Sequence, residues 1–148
     1  MRHRFAMLAL LCAAMLFSSF HRAVAKDRLE GLWYNEEKTA KIEIYLAKDQ
    51  KYWGKIVWLK EPLRDGKPKV DAYNKNPKLR ERPILGLPIL KHFVKKDDDT
   101  YEDGEIYDPK NGKTYSCIIT FKNPNELGIR GYIGISLIGR TTIWTRAD

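Results

Sequence analysis

The side chains best suited to chemistry gather where Asp71, Asn74, Arg80 and Arg82 fall within twelve positions. Guanidinium groups grip carboxylate or phosphate through paired donors, and Asp and Asn read hydroxyls, so this set suits an anion or a sugar. A competing reading is architectural: Asp71 and Asn74 cap turns while the arginines pair with Asp65, Asp71 or Glu81 to hold the segment together. Tyr107, Asp108 and Arg130 extend the candidate binding set, and Trp53, Trp58 and Tyr132 offer aromatic surface for a cavity wall or for packing. Asp108 stands just before Asn111-Gly112 and so has a turn role open to it. Arg130 is out of phase with Leu127 and Ile129; turned inward it would be a buried donor set needing an acceptor, turned outward a solvated charge.

Catalytic signatures are thin. Past residue 25 the chain has one histidine, His92, and two serines, Ser116 and Ser136, and residues 134–138 lack the final glycine of a nucleophile elbow. Zinc would need more than His92 and Cys117 to complete its four ligands, and no metal site is expected. Asp99, Asp103 and Gly104 have calcium-loop spacing, but Lys110 occupies the position that requires a bidentate Glu. A carboxylate pair such as Asp71 and Asp108 is the one hydrolytic arrangement left open. The expectation is a binding protein rather than an enzyme, with no cofactor.

Strands must position these residues. Ile42, Ile44 and Leu46 alternate with Lys41, Glu43 and Tyr45, and the same period of two runs through Trp53 to Leu59 and through Thr142 to Thr145. Turn signals at 48–50, 111–112, 123–125 and 138–139 divide the pattern, and Asn111-Gly112 fits a type I′ hairpin turn because both residues tolerate positive φ. Strands are expected near 31–35, 40–47, 51–60, 101–107, 113–122, 126–135 and 139–146, with a short one around 90–95. Gly86 and Pro88 break the best helical candidate. Seven or eight antiparallel strands escape exposed edges most simply by closing into a small up-and-down barrel. Residues 61–83 are left as one long polar loop, a length that usually carries function or disorder.

Compartment follows from the start of the chain. Arg2, His3 and Arg4 precede an apolar run from Phe5 to Phe17, and Ala23-Val24-Ala25 supplies a small-x-small cleavage pattern. Thirteen apolar residues are too few for a span that needs roughly 20. Residues 1–25 are therefore read as a signal peptide, cut near Ala25, that delivers residues 26–148 as one domain to the periplasm or the exterior. Cys12 lacks the small residue and leucine of a lipobox, and Cys117 is left without a partner, so no internal disulfide forms. The exported part carries 24 Lys and Arg against 19 Asp and Glu, a net charge of +5. Outside the cytoplasm such a charge points to anionic envelope components rather than to nucleic acid. Much of it lies from Lys60 to Lys96, with eleven basic residues against four acidic ones, a candidate surface for an envelope protein or membrane.

Ordered matches along nearly all of the exported part resemble a bacterial secreted family, the domain of unknown function 2147. They include Gly31-Leu32-Trp33, Gly54-Lys55-Ile56-Val57-Trp58-Leu59, Asp71-Ala72-Tyr73-Asn74, Arg82-Pro83, Gly104-Glu105-Ile106-Tyr107-Asp108-Pro109, Arg130-Gly131-Tyr132 and Trp144-Thr145-Arg146. Lys75 and Tyr101 depart from the pattern, where proline and tryptophan are usual. The resemblance implies a lipocalin-like barrel and transfers no reaction. Gly31-x-Trp33 is similar to the opening signature of lipocalins, in which a tryptophan closes one barrel end under an arginine of the last strand; Arg140 or Arg146 would supply that guanidinium. The expected protein binds a small amphipathic or anionic envelope molecule at the barrel mouth. The alternative is an interaction module with no pocket.

Overall fold

The computed structural model describes residues 25–147. The expected export signal, but for Ala25, lies outside the described residues.

The chain forms ten strands: β1 Gly31–Tyr34, β2 Ala40–Leu46, β3 Tyr52–Leu59, β4 Leu63–Arg64, β5 Lys67–Pro68, β6 Pro88–Lys95, β7 Thr100–Asp108, β8 Lys113–Asn123, β9 Glu126–Tyr132 and β10 Gly139–Arg146. Eight of them close into a barrel in the order β1-β10-β9-β8-β7-β6-β3-β2, all neighbours antiparallel, while β4 and β5 form a separate small hairpin. On β2, Ala40, Ile42 and Ile44 are buried; on β8, Cys117, Ile119 and Phe121; on β9, Leu127 and Ile129. Each Ile, Leu and Phe among them stabilises the closed state by about 1.5–3 kcal/mol, and closure leaves the barrel without an unpaired edge.

The two barrel ends differ. One end, the floor, is packed solid by Leu29, Trp33, Phe93 and Tyr101, none of them exposed. Gly104 makes room for this packing, because a Cβ there would fall 2.4 Å from the Phe93 ring. The N-terminal turn seals the floor from below: Trp33 Nε1 donates to the Leu29 carbonyl at 2.9 Å, and the Arg28 guanidinium lies 3.8 Å from the Phe121 ring centroid. Lys95 Nζ and the Tyr101 hydroxyl both bond the Asp27 carboxylate. Burial opposes the Asp27 charge, but hydrogen bonds from Tyr101, the Leu29 amide and Lys95 outweigh it and hold the carboxyl below its ordinary range. Burial alone pushes the free Cys117 thiol up to about 12.

Three local expectations are corrected. The strand expected at 90–95 begins at Pro88, because two register shifts against β3 bring Ile89, Leu90 and Phe93 all to buried positions and erase the period of two. Residues 109–112 form a four-residue loop between Asp108 and Lys113 with positive φ at Gly112 and not at Asn111, rather than a type I′ turn. The strand expected to reach residue 135 stops at Tyr132. The long connection is also built: besides β4 and β5 it holds a 3-10 turn at Pro77–Leu79, and Val70 bridges Pro83 so that its two arms pair before the chain enters β6.

Candidate functional site

The other end of the barrel is open. A cavity of about 1510 Å³ descends from it between the strands, bordered above by the long connection, by the turns preceding β2 and β8, and by Arg140 near the start of β10. Ile42, Ile56, Ile89, Ile106, Ile129 and Trp144 line it from six different strands. Tyr115, Gly131 and Thr142 complete the wall nearer the mouth. Small residues at inward positions create the volume. A Cβ on Gly131 would meet only Ile106 and Tyr115, both at an ordinary 3.6 Å.

The rim is charged. Lys60, Arg64, Lys67, Lys69, Lys110 and Arg140 border the cavity together with Glu37, Glu61, Asp65, Glu81 and Asp108. Three of the cations are loosely paired, Lys69 with Glu61 at 3.8 Å, Lys110 with Glu37 at 3.5 Å and Arg140 with Glu36 at 3.8 Å. Exposed pairs of this kind are worth about 0–1 kcal/mol each, so an incoming anion can replace the partner at small cost.

The polar cluster at 71–82 does not face this cavity as a free binding set. Asp71 is fully buried, and its carboxylate accepts from the Tyr107 hydroxyl at 2.6 Å, from Asn74 Nδ2 at 2.8 Å and from Arg82 Nε at 2.9 Å. Arg82 Nη2 adds a contact at 2.8 Å, and its guanidinium lies over the Tyr107 ring. Asn74 Nδ2 also reaches the Tyr107 hydroxyl at 3.1 Å, and Arg80 Nε donates to the Asn74 carbonyl at 2.8 Å. The Asp71 carboxylate, Asn74 Nδ2, the Tyr107 hydroxyl and Arg82 Nε and Nη2 are thus turned on the group itself, and Arg80 joins it through Nε. Asp71, Asn74, Arg80, Arg82 and Tyr107 of the expected ligand set form a latch that fastens the long connection to β7, and Tyr107 also lines the cavity. Gly112 fits beneath the same segment, where a Cβ would stand 1.8 Å from the Tyr73 carbonyl oxygen.

The other expected site residues separate. Trp58 is half-exposed outside the cavity, edge-on to Tyr34 at 6.1 Å with Lys41 above both rings. The register shift that turns it outward lies between Lys41 and Ile42, which pair with Trp58 and Ile56. Trp53 packs on His92 and Tyr132 is also absent from the cavity wall. Asp108 borders the mouth, but its two oxygens accept from Lys110 N at 2.9 Å and Asn111 Nδ2 at 3.0 Å, which makes it a turn residue. Of the carboxylate pair, Asp71 is thus bound by Arg82 and Asp108 by its own turn. Arg130 points away from the cavity and donates to the carbonyls of Ser136 and Leu137, at 2.6 and 3.1 Å, and to Thr141 Oγ1 at 3.0 Å.

At the floor, Arg146 Cζ lies 4.0 Å from the Trp33 ring centroid and Arg146 Nη2 donates to the Arg28 carbonyl at 2.6 Å. Arg140, the alternative partner for Trp33, is at the opposite end of β10 and belongs to the mouth. The six cavity-wall residues above were legible only as core positions. Gly131 and Thr142, small side chains in phase with the inward face, were the available sign of open volume.

An antiparallel eight-stranded barrel with a packed floor and an open, apolar interior defines a lipocalin-like fold. The chain belongs to the family described as uncharacterized protein conserved in bacteria, the domain of unknown function 2147, whose model matches residues 31–146. Among solved structures it is similar to protein HP1028 from Helicobacter pylori, described as belonging to the lipocalin family, with a TM-score of 0.71, 24% identity, and coverage of 81% of this chain and 83% of that one. That likeness concerns the fold. No curated protein matches the chain.

Proposed function

We propose that this protein is an exported, noncatalytic carrier or receptor for an amphipathic small molecule bearing negative charge. The apolar part lies between Ile42, Ile56, Ile89, Ile129 and Trp144, and the anionic head rests at the rim among Lys60, Lys69, Lys110 and Arg140. The cavity carries this reading: its volume of about 1510 Å³ is large against the roughly 300–1,000 Å³ of ordinary ligand pockets, and its deep wall is aliphatic. A solid interior would have left only the surface to act. The same cavity tells against an interaction module that has no pocket.

Burial of aliphatic surface supplies affinity without directional demand, whereas rim cations set orientation and charge preference. Ligands of different body but similar length and charge are therefore accommodated. Mass spectrometry of small molecules released from protein purified from its own host is the direct test. An amphiphile with an acidic head is expected in stoichiometric amount, and copurification of only polar metabolites would refute the assignment.

A further inference from the structure

Residues 133–138, between β9 and β10, hold four large aliphatic side chains in six positions. Ile133, Ile135, Leu137 and Ile138 are 71%, 58%, 85% and 72% exposed. Among the described residues twelve large apolar side chains are exposed, and eight belong to this loop or to residues 61–83 of the long connection, at the mouth end of the barrel. We propose that the mouth end is a membrane-docking face, with residues 133–138 as an apolar tip that enters the interfacial layer of an anionic lipid bilayer.

The composition of the tip selects this partner. Protein interfaces concentrate energy in Trp, Tyr and Arg seated in pockets, and this loop has none of them. Its Ile and Leu side chains offer hydrocarbon and nothing directional. Hydrocarbon also demands that backbone polar groups be satisfied within the protein. Here Arg130 takes the carbonyls of Ser136 and Leu137, and the Ile138 amide donates to the Ile135 carbonyl at 3.1 Å. These bonds satisfy the carbonyls of Ile135, Ser136 and Leu137 and fix the turn with its aliphatic side chains exposed.

Charge favours an anionic surface over a neutral one. Arg140 and Lys110, both well exposed, stand at the same end, and residues 60–82 add eight Lys and Arg against four Asp and Glu. The opposite end is mixed, with Asp97, Asp98 and Asp99 beside Arg28, Lys95 and Lys96. A few inserted aliphatic side chains flanked by cations is the combination that binds peripheral proteins to acidic lipid. Docked this way, the cavity mouth faces the membrane. On the carrier reading above, its ligand then passes between bilayer and barrel with little exposure to water, although docking itself rests on the loop and rim alone.

Flotation of the protein purified after export, with vesicles of equimolar phosphatidylglycerol and phosphatidylethanolamine and with phosphatidylcholine vesicles, tests the assignment. The protein should float with the anionic vesicles, and the double variant Ile135→Asp/Leu137→Asp should partition at least tenfold less. Leu137→Cys carrying an environment-sensitive fluorophore should shift to shorter wavelength on the same vesicles; buried Cys117 leaves the label specific. No flotation of the natural protein, or equal flotation of the double variant, overturns the proposal. So does a lipid-free dimer that the double variant abolishes, which would make the tip an interface between copies. Circular dichroism and fatty-acid probe binding of the double variant separate this outcome from misfolding and from failure of the carrier reading.

Discussion

Arg146 and Trp33 are register partners on adjacent strands, and the guanidinium carbon of the first lies 4.0 Å from the ring centroid of the second. One pair therefore joins the last strand to the first and covers the packed floor. The Arg146 bond to the Arg28 carbonyl ties the N-terminal turn into the same closure.

Loss of that closure should cost stability and spare the cavity. Trp33→Ala removes a fully buried aromatic and should destabilise by about 3–5 kcal/mol, with Arg146→Ala costing less, about 1–2 kcal/mol. Urea unfolding gives both values. A fluorescent fatty acid, titrated where each variant is still folded, should bind with unchanged affinity.

The latch at Asp71 predicts a different pattern. Asp71→Ala leaves the buried Tyr107 hydroxyl and the partly exposed Arg82 guanidinium without their acceptor and should cost about 2–4 kcal/mol, whereas Tyr107→Phe removes one donor to a carboxylate that keeps Arg82 and Asn74 and should cost about 1.5–3 kcal/mol. Amide hydrogen exchange should accelerate first in residues 69–84. A stable Asp71→Ala variant that has lost ligand would instead make this carboxylate part of the binding site.

Asp27 makes the floor sensitive to acid. Its carboxyl is lowered in the folded protein, so the native state holds fewer protons than the unfolded chain between the two values. Its contribution is complete above the unfolded value near 3.9 and disappears as pH falls through the lowered one. Urea unfolding compared at pH 6 and at progressively lower pH should show Asp27→Asn less stable than the natural protein at pH 6, with the gap narrowing in acid. A gap independent of pH would remove the charge from the account.

The barrel was legible because the inward face is apolar at every second residue wherever pairing is regular, as in Ala40, Ile42 and Ile44. Irregular pairing hid the rest. Around β6 two register shifts and a positive φ at His92 bury Ile89, Leu90 and Phe93 against the period, and another shift turns Trp58 outward. At residues 71–82 polarity left two readings open, since Asp and Arg types do not reveal whether their partners are ligands or each other. The cavity was invisible for a related reason: Ile42 or Ile129 reads as core whether its inner side meets another side chain or empty space, and only closure of the barrel distinguishes the two.

The central claim is an internal site for an amphiphile, and Gly131 offers the most direct measurement. It lines the cavity, and a Cβ there has only van der Waals neighbours at 3.6 Å, so Gly131→Phe should place a ring inside the open volume without disturbing the strands. Titration of a fluorescent long-chain fatty acid into both proteins should show at least a tenfold weaker Kd for the variant, about 1.4 kcal/mol, at an unchanged melting temperature. Equal affinity of the two proteins, or no binding by the natural one, would contradict the account.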